Sequence, residues 1–483
     1  SRWPSRMRWS LWPAVRLVLS STTNSEVAVK RIEIWVVTLL FLAMISIPVI
    51  AFAAGVRPEP NQNRPPTPLP EFNVADILNR ELTPQLDAYL QDALIIAPGA
   101  VAAQAWADVA LGDSPSEKVT LGDAGWLYYT QSVAQPCFAP TETADYLDTV
   151  ERAQRIVSAT GRELIVAVAP DKGSIIPDFL ADEESRCVLG NADLLEDIDA
   201  PDWYVTAWRD MRRARANERP IYYRLDTHWT NAGAAVMAEA IVETVVPGSW
   251  NDDAVRQIGT RDHEGDLTVL LGLPATEPVD ELTVVLPGKQ ATQAGRKLVD
   301  PAGTEVAGVS ALDFTVTGDP VIGGHTVVMH DSFGWAMVRM IAPYFETASF
   351  VAQTNPQTGY MQTELETADT IVHMTVQRSL RGVVINPDLG TQFAAAFADS
   401  FEHTDVGQLG AGAEALLGQS IGANSDTYVV VELAEGTASA ELSLGDTTAT
   451  ITADSPRTAF HIDAASALTT SAPVEYYLIT IDR

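Results

Sequence analysis

The stretch Thr326-Val327-Val328-Met329-His330-Asp331-Ser332-Phe333-Gly334-Trp335-Ala336-Met337-Val338-Arg339-Met340-Ile341 decides how this chain is read. It opens on an apolar run, turns sharply around Ser332 and continues as an apolar helix pattern, so it predicts strand, turn, helix. A strand that apolar belongs in a sheet covered on both faces. A serine in such a turn sits at a helix N-terminus, where free backbone N–H groups can stabilise an oxyanion. Nucleophilic serine chemistry also needs a base and an orienting acid, and these can come from distant positions. Asp226-Thr227-His228-Trp229 offers both. In extended backbone the two-residue spacing puts carboxylate and imidazole on one face, with Asp226 holding the Nδ1 proton and Nε2 turned outward. Asn231 and Gly233 follow, and 234–245 reads as an Ala-rich helix, which makes the block a loop entering a helix. Alone, each half has an ordinary reading, an N-cap serine or a surface turn. Together they point to acyl chemistry.

The rest of the chain frames these two blocks. Residues 146–158 have a helical pattern and 164–168 read as a strand, while 74–110 carry apolar residues at helical spacing; such alternation argues for α/β layering. After about residue 405 the character changes to a Gly- and Ala-rich segment followed by short strands at 427–433, 438–444, 447–452 and 474–481, a small β module. The balance of 31 Lys+Arg against 63 Asp+Glu, a net charge of −32, repels phosphate backbones and excludes nucleic acid as a partner. It says little about any other ligand, because a salt-adapted surface has the same composition. With two cysteines and no Cys-X-X-Cys or His-Glu-X-X-His spacing, neither a zinc site nor another cofactor is expected. Cys137 and Cys187 are either one disulfide or two buried thiols. Residues 34–54 are apolar, uncharged and long enough to span a bilayer. Lys30, Arg31 and the upstream arginines put positive charge on their N-terminal side, so everything after Gly55 is expected outside the cytoplasm. The segment is a retained anchor or, with Ala51-Phe52-Ala53 as a cleavage site, a removed signal. Residues 57–70 form a Pro-rich linker.

Four blocks in order, Leu121-Gly122-Asp123-Ala124-Gly125-Trp126-Leu127-Tyr128-Tyr129, Val168-Ala169-Pro170-Asp171-Lys172 with Ile176-Pro177, the Asp226/His228/Trp229 block and the Asp331/Ser332/Phe333 block, carry a resemblance, and Gln377-Arg378-Ser379-Leu380 adds a fifth. The chain resembles the alginate O-acetyltransferase group with SGNH-hydrolase-like domains, over roughly residues 70–385. The resemblance implies an α/β fold, an SGNH-hydrolase-like three-layer core with a parallel sheet, plus a small C-terminal β module and an N-terminal transmembrane segment. The expected domains are 1–56, cytoplasmic leader and anchor or signal; 57–70, linker; 71–405, catalytic domain; and 406–483, a β module that is a candidate carbohydrate binder or a structural extension of the core. It implies Ser332 as nucleophile, His228 as base and Asp226 as orienting acid in an extracytoplasmic O-acetyltransferase acting on an exported or cell-envelope polysaccharide. A membrane-bound acyltransferase partner would supply the acetyl groups. A carbohydrate acetyl esterase and a non-catalytic glycan-binding scaffold are the alternatives. Trp229 and Tyr128, with Tyr129, are candidates for a sugar platform, and Lys172 and Arg378 for holding a carboxylate or acetyl oxygen; core packing or a salt bridge accounts for each as readily. Two departures stand out: His330 precedes Asp331 where the group commonly has Gly or Arg, and His373 and Thr375 stand near the fifth block where an acidic residue is often seen. Both bear on substrate choice or activity.

Overall fold

The apolar runs read from the sequence become the middle of a seven-stranded sheet. The computed structural model describes residues 97–483 apart from 199–200, 218, 300–302, 385–387, 418–424, 454, 463–465 and 483, with a few isolated earlier positions. The helix Ala97–Leu111 belongs to the helical stretch expected over 74–110. The leader and the linker lie outside the described residues, as do nearly all of 34–54. Among the described residues no helix is long and apolar enough to cross a membrane.

In chain order, β1 (Val119–Leu121) and β2 (Leu127–Tyr129) pair antiparallel, and β3 (Glu163–Ala169) and β4 (Tyr204–Thr206) enter the main sheet. Next β5 (Val255–Glu264) and β6 (Thr276–Val284) form a separate antiparallel ribbon, and β7 (Gln290–Val299), β8 (Glu305–Thr317), β9 (Ile322–His330), β10 (Phe345–Val351) and β11 (Thr370–Val376) complete the sheet. The order is β4-β3-β11-β9-β10-β8-β7. The expected parallel sheet is mixed: β4, β3, β11, β9 and β10 run parallel, whereas β8 lies antiparallel to β10 and β7 antiparallel to β8. The connection from β7 to β8 is only a few residues, too short for a crossover, so the second strand must return antiparallel. β7 is exposed at nearly every position, and its Gln-, Thr-, Arg- and Lys-bearing sequence has no apolar signature to announce it. β11 is buried throughout and β3 at all but its first residue, as strands covered on both faces must be.

Register shows that the core has three layers. His330 pairs with Met374, so its neighbour His373 points to the other face of the sheet. His330 meets Trp335 of the helix Gly334–Ile341 at 5.0 Å between rings, and His373 meets Phe393 of the helix Leu389–Ala396 at 6.4 Å. The helix Asn231–Val245 packs with Gly334–Ile341, and Pro140–Ala159 packs with Leu389–Ala396.

The C-terminal residues form two four-stranded sheets. β12 (Thr404–Leu409), β14 (Ser425–Leu433), β17 (Arg457–Ile462) and β19 (Val474–Asp482) make one in the order β12-β19-β14-β17, and β13 (Glu414–Leu417), β15 (Ser439–Leu444), β16 (Thr447–Thr452) and β18 (Ser466–Thr470) the other in the order β13-β18-β15-β16. β14 is buried on both sides. Val429 and Val431 fill the space between the sheets, while Tyr428 and Val430 join the main core. The module is therefore welded to the helices below it, and Arg155 fixes the seam through two hydrogen bonds, 3.0 and 2.9 Å, to the buried Asp426 carboxylate. Its aromatic side chains Tyr428, Phe460 and Tyr477 are buried, and Tyr476 is partly buried. Replacing Arg155 with Ala takes two hydrogen bonds and the opposite charge from a buried carboxylate that keeps His461 at 3.3 Å on its other oxygen, so urea unfolding is expected to show a loss of about 1–3 kcal/mol in one transition shared by module and core. Two separate transitions would show that the seam couples nothing.

Candidate active site

Asp226, His228 and Ser332 form one hydrogen-bonded chain. Ser332 Oγ lies 2.8 Å from His228 Nε2, and His228 Nδ1 lies 2.7 Å from Asp226 Oδ1. With Nδ1–H donating to the carboxylate, Nε2 is the acceptor and faces the serine hydroxyl. The serine is exposed and the His228 side chain keeps 26% of its surface, so the reactive end of the chain is open while Asp226 at the other end is buried. The extended backbone expected for Asp226 and His228 is replaced by bends. The His228 N–H also donates to Asp226 Oδ1, at 2.8 Å, and this Asx turn brings the imidazole back onto its own carboxylate.

The nucleophile is held by its neighbours. Asp331 Oδ1 accepts the Phe333 N–H at 2.9 Å, Asp331 Oδ2 accepts the Val376 N–H at 2.8 Å, and the Gly334 N–H donates to the Asp331 carbonyl at 3.1 Å. Asp331 thus pins the turn after β9 to the end of β11 and engages two of the N–H groups that a helix start would offer an oxyanion. Gly334 is required by close approach, since a Cβ there would lie 2.2 Å from the His330 ring. His330 itself is fully buried, donates from Nδ1 to the Asp331 carbonyl at 2.7 Å, and is held low in pKa by desolvation.

The other residues named from the sequence are structural supports. Trp229 and Tyr128 are fully buried, so neither can serve as a sugar platform. Trp229 instead donates its indole N–H to the Phe333 carbonyl at 3.0 Å and packs edge-on to that ring at 5.0 Å, tying the base loop to the nucleophile turn. Tyr128 donates to the Ile176 carbonyl at 2.6 Å. Tyr129 is partly buried under the Arg378 guanidinium. Lys172 is buried and donates to the carbonyls of Asp226 at 2.7 Å and Tyr223 at 3.2 Å, with the Tyr128 ring 5.0 Å away. Arg378 pairs with the buried Asp171 and lies 5.2 Å over the Phe333 ring. Burial pushes the Asp171 carboxyl up, and Arg378 opposes that shift. Cys137 and Cys187 are disulfide-bonded, with Cα atoms 4.5 Å apart.

Two site residues escape sequence reasoning. His263 Nε2 donates to Asp226 Oδ2 at 2.9 Å, and the Asp266 N–H donates to the same oxygen at 3.2 Å. Burial alone would raise the Asp226 pKa, but the hydrogen bonds from His228 and His263 hold it well below the usual carboxylate range. Asp266 moves the other way, raised by burial and by the charge of Asp226. Possible metal-ligating atoms of Asp226, His228 and Asp266 lie within 4.8 Å of one another. In this geometry His228 Nδ1 carries the proton it gives Asp226, and Asp266 Oδ1 accepts the Thr227 N–H at 2.7 Å.

Residues 119–310 match a family model described as an SGNH hydrolase-like domain, acetyltransferase AlgX. That span holds Asp226, His228 and His263 and stops short of Ser332. The chain is 26% identical over 209 residues to the probable alginate O-acetylase AlgJ of Pseudomonas syringae pv. tomato, covering 40% of this chain and 50% of that protein. To the protein of the same description from Pseudomonas aeruginosa it is 28% identical over 206 residues, covering 37% and 51%. The chain spans about half the length of the curated relatives it matches. Among solved structures it is similar to the O-acetyltransferase domain of Pseudomonas putida AlgJ, at 18% identity and a TM-score of 0.35 over 54% of this chain and 92% of that one. It is likewise similar to Pseudomonas aeruginosa AlgX, at 12% identity and a TM-score of 0.39 over 75% and 94%.

Lys172 gives the site a pH signature. Desolvation outweighs the attraction of Asp226, Asp266 and Glu277 and pushes its pKa down to about 7. An unfolded lysine titrates near 10.4. Between those values the unfolded chain binds the additional proton, so stability rises with pH from about 7 to about 10. Urea midpoints are expected to climb over that window in the parent chain and to flatten in Lys172→Met. Equal slopes in the two proteins would place the lysine's titration elsewhere.

Proposed function

We infer that this chain, a member of the alginate O-acetyltransferase-like family of SGNH-hydrolase-like proteins, is an O-acetyltransferase that passes an acetyl group through Ser332 to hydroxyls of an exported or cell-envelope polysaccharide. The observation that carries this reading is the continuous Asp226–His228–Ser332 chain with its serine end open to solvent. His228 Nε2 takes the Ser332 proton as Oγ attacks the acetyl carbonyl of the donor. The tetrahedral adduct collapses, the bond to the donor oxygen breaks, and His228 returns the proton to the leaving alcohol. A glycan hydroxyl then gives its proton to His228, attacks the acetyl-serine, and Ser332 leaves with the proton restored. Asp226 keeps Nδ1 protonated and stabilises the imidazolium in both halves.

The domain works outside the cytoplasm, beside a membrane-bound acyltransferase that delivers the acetyl group. The disulfide supports an oxidising compartment, and the apolar segment 34–54 with its positive N-terminal flank supports attachment to, or export across, the membrane. The exposure of Ser332 also supports an esterase, in which water replaces the glycan in the second half of the cycle.

Ser332→Ala is expected to cut chromogenic acetyl-ester turnover on the order of 10⁴-fold or more while leaving the unfolding midpoint unchanged; parent-level activity in this variant would sink the assignment. Asp226→Asn should also lose turnover by orders of magnitude, because an amide favours the wrong imidazole tautomer. With donor and no acceptor, intact-mass measurement should find one acetyl group on Ser332 that disappears on adding the acceptor oligosaccharide. Steady turnover without glycan and without an adduct would make the protein an esterase, and no turnover with no adduct would make it a binding protein.

A further inference from the structure

The strongest unassigned feature is the way the β5–β6 ribbon grips the base loop. Glu277 of β6 accepts the N–H groups of Leu225 at 2.8 Å and Arg224 at 3.2 Å. Asp266, the first residue of the short helix Asp266–Leu270 between β5 and β6, accepts the Thr227 N–H. Gly265 beside it is forced to be glycine by contact, because a Cβ there would sit 2.2 Å from the Leu225 carbonyl oxygen. His263 lies opposite Glu277 in the ribbon, stacks on Tyr223 at 4.1 Å between rings, and reaches past the backbone to Asp226 Oδ2. Residues 224–227 are thus each held by the ribbon or by the short helix between its strands, and His263 is the ribbon side chain that donates to the relay's carboxylate.

We propose that His263 is a positioning residue for the Asp226–His228–Ser332 relay, a second histidine that locks the orienting carboxylate from the side away from His228. The proposal rests on the acyl-transfer reading given above. The carboxylate's χ2 bond is soft, and on Oδ2 the His263 bond at 2.9 Å is shorter than the Asp266 N–H bond at 3.2 Å, so without His263 only the longer contact opposes rotation of Oδ1 away from His228 Nδ1. The role is comparable to that of the outer partners that orient metal-bound histidines, whose loss typically costs about 10–100-fold. The titratable and charged groups facing His263 and its carboxylate are His228, Asp266, Lys172, Glu277 and Tyr223, with Arg261 acting on Tyr223 from the same strand.

The test compares His263→Gln, His263→Asn and His263→Ala in the full chain, with Ser332→Ala as control, using a chromogenic acetyl ester in the presence of the acceptor oligosaccharide. Gln carries an amide nitrogen near the position of Nε2, whereas Asn is too short and Ala has no donor. The expected result is a fall in kcat of about 10–100-fold in the Ala and Asn variants with KM unchanged, and recovery to within a few-fold in the Gln variant. Turnover within twofold of the parent in the Ala variant overturns the proposal. So does a loss that the Gln variant shares in proportion to its fall in unfolding midpoint, since that is what a purely structural role gives. If Ser332→Ala is as active as the parent, the acyl-transfer reading itself has failed; if that control is dead and His263→Ala is unaffected, only the positioning role is lost.

Discussion

A carboxylate taken out of water has to be surrounded by donors, and the arrangement around the site follows from meeting that demand at Asp226. The residue is 4% exposed. An unpaired charge at such a position would protonate or unfold the loop that carries it. Four donors meet it: the backbone and ring nitrogens of His228 on one oxygen, and His263 with the Asp266 N–H on the other. The first pair comes from the loop's own Asx turn. The second comes from the β5–β6 ribbon and the helix between its strands, 37 and 40 residues further on, so the fold of that segment and the ionisation of the acid are one problem. Lys172 adds a third anchor through the Asp226 carbonyl, which leaves the carboxylate oxygens to the histidines.

On the nucleophile side the same economy of contacts recurs. Asp331 spends both carboxylate oxygens on backbone N–H groups, one within its own turn and one at the end of β11. The turn is thereby set by the sheet, not by the loop. Trp229 and Phe333 then connect the two loops through an indole hydrogen bond and an edge-on ring contact. Each loop is indexed to a rigid element and to the other, which is the condition for holding a serine and an imidazole within 2.8 Å.

How much of this could be read beforehand follows from the kind of signal each part leaves. The helix expected at 234–245 is Asn231–Val245, and the strand at 164–168 is Glu163–Ala169, because apolar periodicity is local. The serine, histidine and acid are legible because their chemistry restricts the residue types. His263 leaves no such mark: it stands in a polar strand whose Arg, Gln, Asp and His are indistinguishable from a solvated edge until β6 pairs with it. β7 is hidden for the same reason. Trp229 and Tyr128 mislead in the opposite sense, because an aromatic beside a catalytic block suits a sugar face and a core equally well, and only burial separates the two. The polar pair Lys172 and Arg378 is spent inside, on backbone carbonyls and on Asp171.

That internal use of charge bears on how transfer can win over hydrolysis. Water reaches Ser332 in this chain, since the serine is exposed and its base is partly so. An acyl-serine in that setting has water at hand at every moment, and the Asp–His pair activates any hydroxyl presented to Nε2. On the proposed acyl-transfer reading, selection for a sugar therefore cannot lie in the relay. It would have to come from occupancy, with an acceptor or a docked partner covering the open face and displacing water before the second attack. Lys172 and Arg378 are already engaged, on backbone carbonyls and on Asp171, and are not free to bind it. On that reading the relay supplies reactivity, and whatever covers Ser332 supplies the choice of nucleophile.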